Sequence, residues 1–445
     1  MIIYVEGRDG MADIKHVDIK QNASIDMYST DRFKSEMLSV YFSLPTVKEE
    51  AVIRTLLLSV LKRGTEKYPS QKEINARLDD LFATILSLEN QRFDATQLFG
   101  LCADVIRDEY ISGGEELLSG ALEVATQIML CPYIDAETGL FSEEYVSSEK
   151  INYKNSILSQ MNEPRSYASL RCREETFSQL GLSYKLSEIL EMIDKITARD
   201  LTEYYKKVIK TAGYRIFYTG ARTQEEIERR IIAALPSEDY ALPTNEKAAS
   251  KELVALPVPN VIIEEKDVFQ GRLSVSVSCG VTWRDKDYPA MLMCNEILGG
   301  SPISKLMMGV REARGLCYEC SSEYNSARGV LFINLGIDVQ NFDAAKEAIA
   351  EQIDAIKTGD ITEAEFSAAK KSLLNVYKSV YDSPVAIEKF YLGRIVSGID
   401  TDIEDMLEKV SGVTMEDVVA VADKLSFHTV FFLKGTAEEG DYDEE

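Results

Sequence analysis

A chain of 445 residues that is 45% hydrophobic has apolar material for about three domain cores. Its 74 acidic and 49 basic side chains leave a net charge of −25, which argues against nucleic acid and anionic membrane surfaces as partners, because both select clustered Lys and Arg. No run of about 18 apolar residues occurs, which excludes a membrane-spanning helix.

In chain order, MIIYVEGRDGMADIKHVDIK lacks the basic-then-apolar pattern of a secretory signal and reads as the first strand region of a cytoplasmic protein. LSVYFSL (Leu38 to Leu44) has period-two character with β-branched and aromatic residues, so a strand is expected. VIRTLLLSVLKRG, ending at Gly64, has helical spacing, as do EELLSGALEVATQI (Glu115 to Ile128) and SEEYVSSEKINYKNSILSQMNEP, ending at Pro164. ITARDL (Ile196 to Leu201) and YRIFYTG, ending at Gly220, complete the series. Next comes PSEDYALPTNEKAASKELVALPVP, where Pro236, Pro243, Pro257 and Pro259 block helix continuation and disfavour central strands, as in a linker.

The series then repeats. LSVSVSC (Leu273 to Cys279), AMLMCNEILGG ending at Gly300, AAKEAIAEQIDAI ending at Ile356, TEAEFSAAKKSLLNVYKSVYDSP ending at Pro384, VTMEDV (Val413 to Val418) and TVFFLKG ending at Gly435 follow in the same order. The offset narrows only from about 235 to about 215 residues, and six matches in order point to an internal duplication. GVLFINLGIDV (Gly329 to Val339) adds a strand, and Thr362 with Glu365 forms a capping box before the second long helix. The expected fold is α+β, with two homologous halves, each a mostly antiparallel sheet backed by helices. The halves are residues 1–235 and 259–435, joined by a linker at 236–258 and followed by an acidic tail at 436–445, TAEEGDYDEE, expected to be disordered.

Seven cysteines (Cys102, Cys131, Cys172, Cys279, Cys294, Cys317, Cys320), an odd count in a large chain, fit reduced thiols better than a disulfide framework. Cys317 and Cys320 lie in GLCYECSSEY, which reads as a strand. There, residues three apart point to opposite faces, so the two thiols are expected to sit too far apart to chelate one metal or bridge easily. The chain has only two histidines, His16 and His428, in terminal strands of opposite halves, and both read as structural or surface residues. No G-x-S-x-G elbow and no G-x-x-x-x-G-K-[ST] phosphate loop is present.

Two stretches carry a family resemblance: LLLSVLKRGTEKYPSQKEINARLDDLFAT (Leu56 to Thr84) and LGGSPISKLMMGVREARGLCYECSS (Leu298 to Ser322). With the duplication, they make nearly the whole chain resemble the pitrilysin/insulinase-type zinc peptidases, a group that includes mitochondrial processing peptidase and the bc1 core proteins. Active members of this group carry His-x-x-Glu-His on the first helix. Histidines four apart share a helix face and hold Zn²⁺, the glutamate activates the metal-bound water, and a glutamate on a later helix completes the ligands. Matched on Arg63-Gly64-Thr65, the histidine positions are Thr55 and Ser59 and the base position is Leu58. Matched back from Asn162-Glu163-Pro164, the later ligand position is about Ser156, with Glu149 two helical turns earlier.

The resemblance therefore implies a zinc-less, non-catalytic homologue with no cofactor. It also implies retained substrate-binding residues: Arg311 and Tyr318 match an Arg and Tyr that hold substrate backbone and the developing oxyanion in active members, through cationic and phenolic donors. Gly299 and Gly300 match a loop that is glycine-rich in a non-catalytic processing-peptidase subunit; in LGGSPIS, a turn needing positive φ is the expected cause. The implied role is a subunit that pairs with a zinc-bearing homologue, or self-associates, around a peptide or protein substrate. At subfamily level the chain resembles bacterial insulinase-like proteins associated with 5-aminopentanol modification of elongation factor P. A scaffold role like that of the bc1 core proteins, and an active peptidase with a relocated metal, are the alternatives.

Overall fold

A computed structural model describes residues 14–93, 95–112, 116–181, 184–239, 253 and 256–436. The first thirteen residues, most of the expected linker and the tail beyond Thr436 lie outside the described residues. The chain forms two compact units, one from Met1–Ser156, Ser187–Ser250 and Val380–Asp402, the other from Ile157–Leu186, Lys251–Ser379 and Ile403–Glu445.

In the first unit, β1 (Ile14–Lys20), β2 (Ala23–Ser29), β3 (Ser35–Pro45), β4 (Ile85–Phe93), β5 (Thr96–Ile106) and β6 (Gly213–Gly220) form a sheet in the order β1-β2-β6-β3-β5-β4. All pairings are antiparallel except that of β2 with β6. Strand alternation sends Leu38, Val40 and Phe42 of β3 to one face and Ser39 and Tyr41 to the other. The apolar face packs into one core with Leu56, Leu57 and Leu61 of the helix Ala51–Leu61 and Leu118, Ala121 and Val124 of the helix Leu117–Leu130. The helix Pro384–Ser397 packs against β3, β4 and β6. Its Glu388 accepts hydrogen bonds from Ser39 Oγ (2.8 Å) and Tyr41 Oη (2.7 Å).

In the second unit, β7 (Asn260–Lys266), β8 (Gly271–Ser278), β9 (Glu319–Asn325), β10 (Val330–Ile337) and β11 (Ser426–Gly435) run in the order β7-β11-β8-β10-β9. Only β7 with β11 is parallel. This is the order β2-β6-β3-β5-β4 repeated strand for strand, so the duplication read from LSVYFSL/LSVSVSC and YRIFYTG/TVFFLKG is a duplication of topology. The helix Pro164–Phe177 packs on β8, β10 and β11, burying Ala168 and Cys172 with Val330, Phe332, Phe431 and Leu433. Its Thr176 hydroxyl donates to Ser276 Oγ at 2.8 Å.

One covering helix in each unit therefore comes from the other sequence copy. The two long segments with helical spacing run in sequence to Pro164 and Pro384; in the structure these prolines open new helices, capped by the side chains of Glu163 and Ser383. Proline suits a first helical turn, where its missing N–H costs nothing. Matching helices in the two copies also start on matching capping boxes, Thr197 with Asp200 and Thr414 with Asp417.

Candidate functional site

The helix Ala51–Leu61 carries the degenerate motif. Thr55 Oγ1 donates to the Ala51 carbonyl at 3.1 Å, and Ser59 Oγ donates to the Thr55 carbonyl at 3.3 Å. Both hydroxyls are thus spent on their own helix. Asn90 of β4 donates to Thr55 Oγ1 at 3.2 Å. Burial lifts the phenol of Tyr153, on the helix Glu143–Asn162, above the ordinary range. Leu58, at the base position, is 3% exposed and belongs to the apolar core. Ser156 is exposed, and Glu149 Oε1 stands 3.5 Å from Arg63 Nε. Among the described residues, no group of three or more His, Cys, Asp and Glu could hold a metal ion.

The same helix holds a residue that motif matching overlooks. Arg54 is 1% exposed, and its guanidinium donates to Tyr204 Oη (2.7 Å), Gln97 Oε1 (2.8 Å), the Pro45 carbonyl (2.8 Å) and Glu50 Oε2 (2.5 Å). Burial pushes Glu50 up, but hydrogen bonds from Lys207, Tyr204 and Arg54 outweigh it and bring its pKa down to about 2. A buried arginine needs such a full set of acceptors. The one signal in the sequence is a charged residue in the middle of an apolar helix.

Both histidines lie on strands and serve structure. His16 Nδ1 is 2.6 Å from the buried Asp26 carboxylate, and that hydrogen bond raises the His16 pKa. Burial pushes Asp26 up, but Arg215 and then His16 outweigh it and hold the carboxyl below its usual range. His428 is buried on β11, and burial lowers its pKa.

In the second unit, the segments Glu296–Gly300 and Leu306–Glu312 wind as π-helix and pack on β9. Such turns are uncommon and cluster at functional sites. Arg311 is exposed and donates to Glu312 Oε1 at 2.9 Å. Tyr318 is 56% exposed, and its hydroxyl donates to Asp338 Oδ1 at 2.6 Å. Both side chains point to solvent rather than into a core.

Two expectations are corrected here. Gly299 and Gly300 do not have positive φ. A Cβ on Gly299 would lie 2.7 Å from the Ser322 backbone nitrogen, so the requirement is close approach to β9, while on Gly300 it would meet the Glu296 side chain. Nor do Cys317 and Cys320 lie on one strand. β9 begins only at Glu319, and the chain bends at Tyr318, so strand alternation does not apply to Cys317. Both thiols are buried.

A family model described as "Peptidase M16 inactive domain" matches residues 195–373. The chain is similar to "Probable inactive metalloprotease YmfF" of Bacillus subtilis, with 28% identity over 407 residues, 92% of this chain and 94% of that protein. The crystal structure of a conserved protein from Enterococcus faecalis superposes with a TM-score of 0.86 at 25% identity, covering 96% of this chain and 100% of the other. A structure described as peptidase M16 inactive domain from Pseudomonas fluorescens shares the fold, with a TM-score of 0.74 at 17% identity over 96% of this chain and 100% of the other.

Proposed function

We propose, from the premise that this chain belongs to the M16 (pitrilysin/insulinase-type) peptidases as a non-catalytic member, that it is the zinc-less subunit of a two-chain peptidase. Its partner is a homologue with an intact metal motif, and its own contribution is to hold peptide. The observation that carries this reading is a contrast. The metal and base positions are filled by Thr55, Ser59 and the core residue Leu58, while Arg311 and Tyr318 stay exposed: Arg311 has guanidinium N–H groups beyond its bond to Glu312, and Tyr318 can exchange its bond to Asp338 for one to a peptide carbonyl. Further support comes from β4, an edge strand among the described residues, with Ile85 and Leu88 exposed. An extended peptide can add to such an edge through main-chain hydrogen bonds. No helix among the described residues is long and apolar enough to cross a membrane, which fits work on peptides in an aqueous compartment, the cytoplasm in our reading.

The test is co-expression with a zinc-bearing homologue of the same family, followed by peptide cleavage assays. The Arg311→Ala/Tyr318→Phe variant is expected to assemble normally and to slow cleavage at least about ten-fold, the loss that follows from about 1.4 kcal/mol of transition-state binding. Assembly with unchanged cleavage would assign the chain a scaffold role instead, and stoichiometric zinc with turnover by the isolated chain would overturn the reading altogether.

A further inference from the structure

Peptide binding by Arg311 and Tyr318 leaves unused a cavity whose lining residues all belong to the first unit. β3 ends at Pro45, the chain turns through Val47 and Glu50, and the helix Ala51–Leu61 begins. The helix Ala198–Thr211 packs beside it. Tyr204, Lys207 and Val208 recur on that helix at spacings of three and four, so they form one stripe. The stripe faces Leu44, Pro45 and Val47 across a cavity of about 220 Å³.

The lining divides by chemistry. Leu44, Pro45, Val47 and Val208 supply hydrocarbon, while Arg54, Lys207 and Glu50 supply two positive charges and one negative. Glu50 is already well served. Its Oε1 accepts from Lys207 Nζ at 2.6 Å, and its Oε2 accepts from Tyr204 Oη at 2.8 Å and Arg54 Nη2 at 2.5 Å. Three donors leave it little to offer a ligand cation. Lys207 is the opposite case. Its ammonium has three N–H groups, gives one to Glu50, and its side chain is 59% exposed. Lys206 and Lys210 are exposed on the same two helical turns, against one acid, Glu203. In a chain of net charge −25, positive charge therefore gathers beside this cavity.

We propose that this cavity binds a small monocarboxylate, with its apolar group against Leu44, Pro45, Val47 and Val208 and its carboxylate on the Lys207 ammonium. The size follows from the volume: 220 Å³ is about seven water-sized shares, room for a body of about five or six carbons and not for a long acyl chain. The head follows from the donors. A carboxylate on Lys207 gains a charge-assisted hydrogen bond and stays close to water. A phosphate needs donors for three oxygens, and hydrocarbon walls supply none. A neutral chain gains nothing from the amine. The same chemistry occurs in a free short-chain acid and at the C-terminus of a peptide that ends in an apolar residue.

The test titrates the full chain, labelled at Leu and Val methyls, with hexanoate, hexanol, hexylamine and N-acetyl-leucine, and follows NMR shifts and binding heat. Hexanoate is expected to shift the Leu44, Val47 and Val208 methyls saturably and to bind at least about ten-fold tighter than hexanol or hexylamine. From butanoate to hexanoate the affinity is expected to rise by up to about four-fold per methylene. Lys207→Met keeps the stem and removes the charge; it is expected to weaken hexanoate at least about ten-fold and to leave hexanol unchanged. Val47→Trp fills the space and is expected to abolish binding of both. Tighter binding of N-acetyl-leucine than of hexanoate would assign the carboxylate to a peptide end, and the reverse to a free acid. No saturable shift at these methyls, hexylamine binding as tightly as hexanoate, or hexanoate binding unchanged by Lys207→Met would each overturn the proposal. None of these readouts depends on Arg311 or Tyr318, which belong to the second unit, so the two readings fail separately.

Discussion

Glu388 is the side chain whose titration matters most to the fold. It is 4% exposed, and burial lifts its pKa to about 7 from an ordinary 4.5, against the pull of hydrogen bonds from Tyr41 and Ser39. The sign follows from proton binding. Between about pH 4.5 and 7 the folded carboxyl holds a proton that the unfolded one has lost, so stability falls as pH rises through that window. Above it the cost is on the order of 3 kcal/mol. Glu388→Gln keeps the shape and removes the charge. Its urea midpoint is expected to exceed that of the unaltered protein clearly at pH 8 and barely at pH 4.5, and equal gains at both would refute this account. Arg54 behaves in the opposite way. Arg54→Met leaves the Pro45 carbonyl and Gln97 without their donor, while Glu50 keeps Lys207 and Tyr204, a loss of about 1–3 kcal/mol by equilibrium unfolding. Neither role is legible from residue type alone, because the partners of each are scattered along the chain, as with Glu388 and Ser39, 349 residues apart.

At the scale of an element, the packing of the segment Glu296–Gly300 on β9 separates two adjacent glycines. Gly299→Ala drives a methyl against the Ser322 backbone and is expected to cost about 1–3 kcal/mol. Gly300→Ala meets only the movable end of Glu296 and is expected to cost less than about 1 kcal/mol. Thermal unfolding of the two variants checks the contrast. The pattern of LGGSPIS marks the place but not the reason, since close approach to another strand is a tertiary fact. The same limit explains the thiol pair. GLCYECSSEY has the composition of a strand, and only the backbone bond from Tyr318 to Gly336 reveals where the strand starts. By contrast, elements that depend on local chemistry were open to reading: Thr362 and Glu365 exchange the expected capping bonds at 2.7–3.2 Å.

For the whole molecule, repetition was the legible part, because LSVYFSL and LSVSVSC keep the alternation that a central strand needs. The exchange of covering helices was not, since no local signal tells the helix after Pro384 which sheet to seek. That exchange makes a prediction. A fragment of residues 1–250 has the first sheet but lacks Val380–Asp402, so the face bearing Ser39 and Tyr41 is left bare. It is expected to bind the dye ANS and to unfold without a sharp transition, and adding residues 380–402 through a flexible linker is expected to restore one. Cooperative unfolding of the shorter fragment would show that the helix is dispensable.

The same arrangement sets a clock on synthesis. The ribosome delivers about 5–20 residues per second, so the 349 positions from Ser39 to Glu388 take roughly 20–70 s to emerge. Throughout that interval the nascent first sheet has one wall missing. A chaperone that shields exposed β-surface has its longest opportunity there, and a stop codon in the last quarter of the message would spoil the beginning of the protein as much as its end.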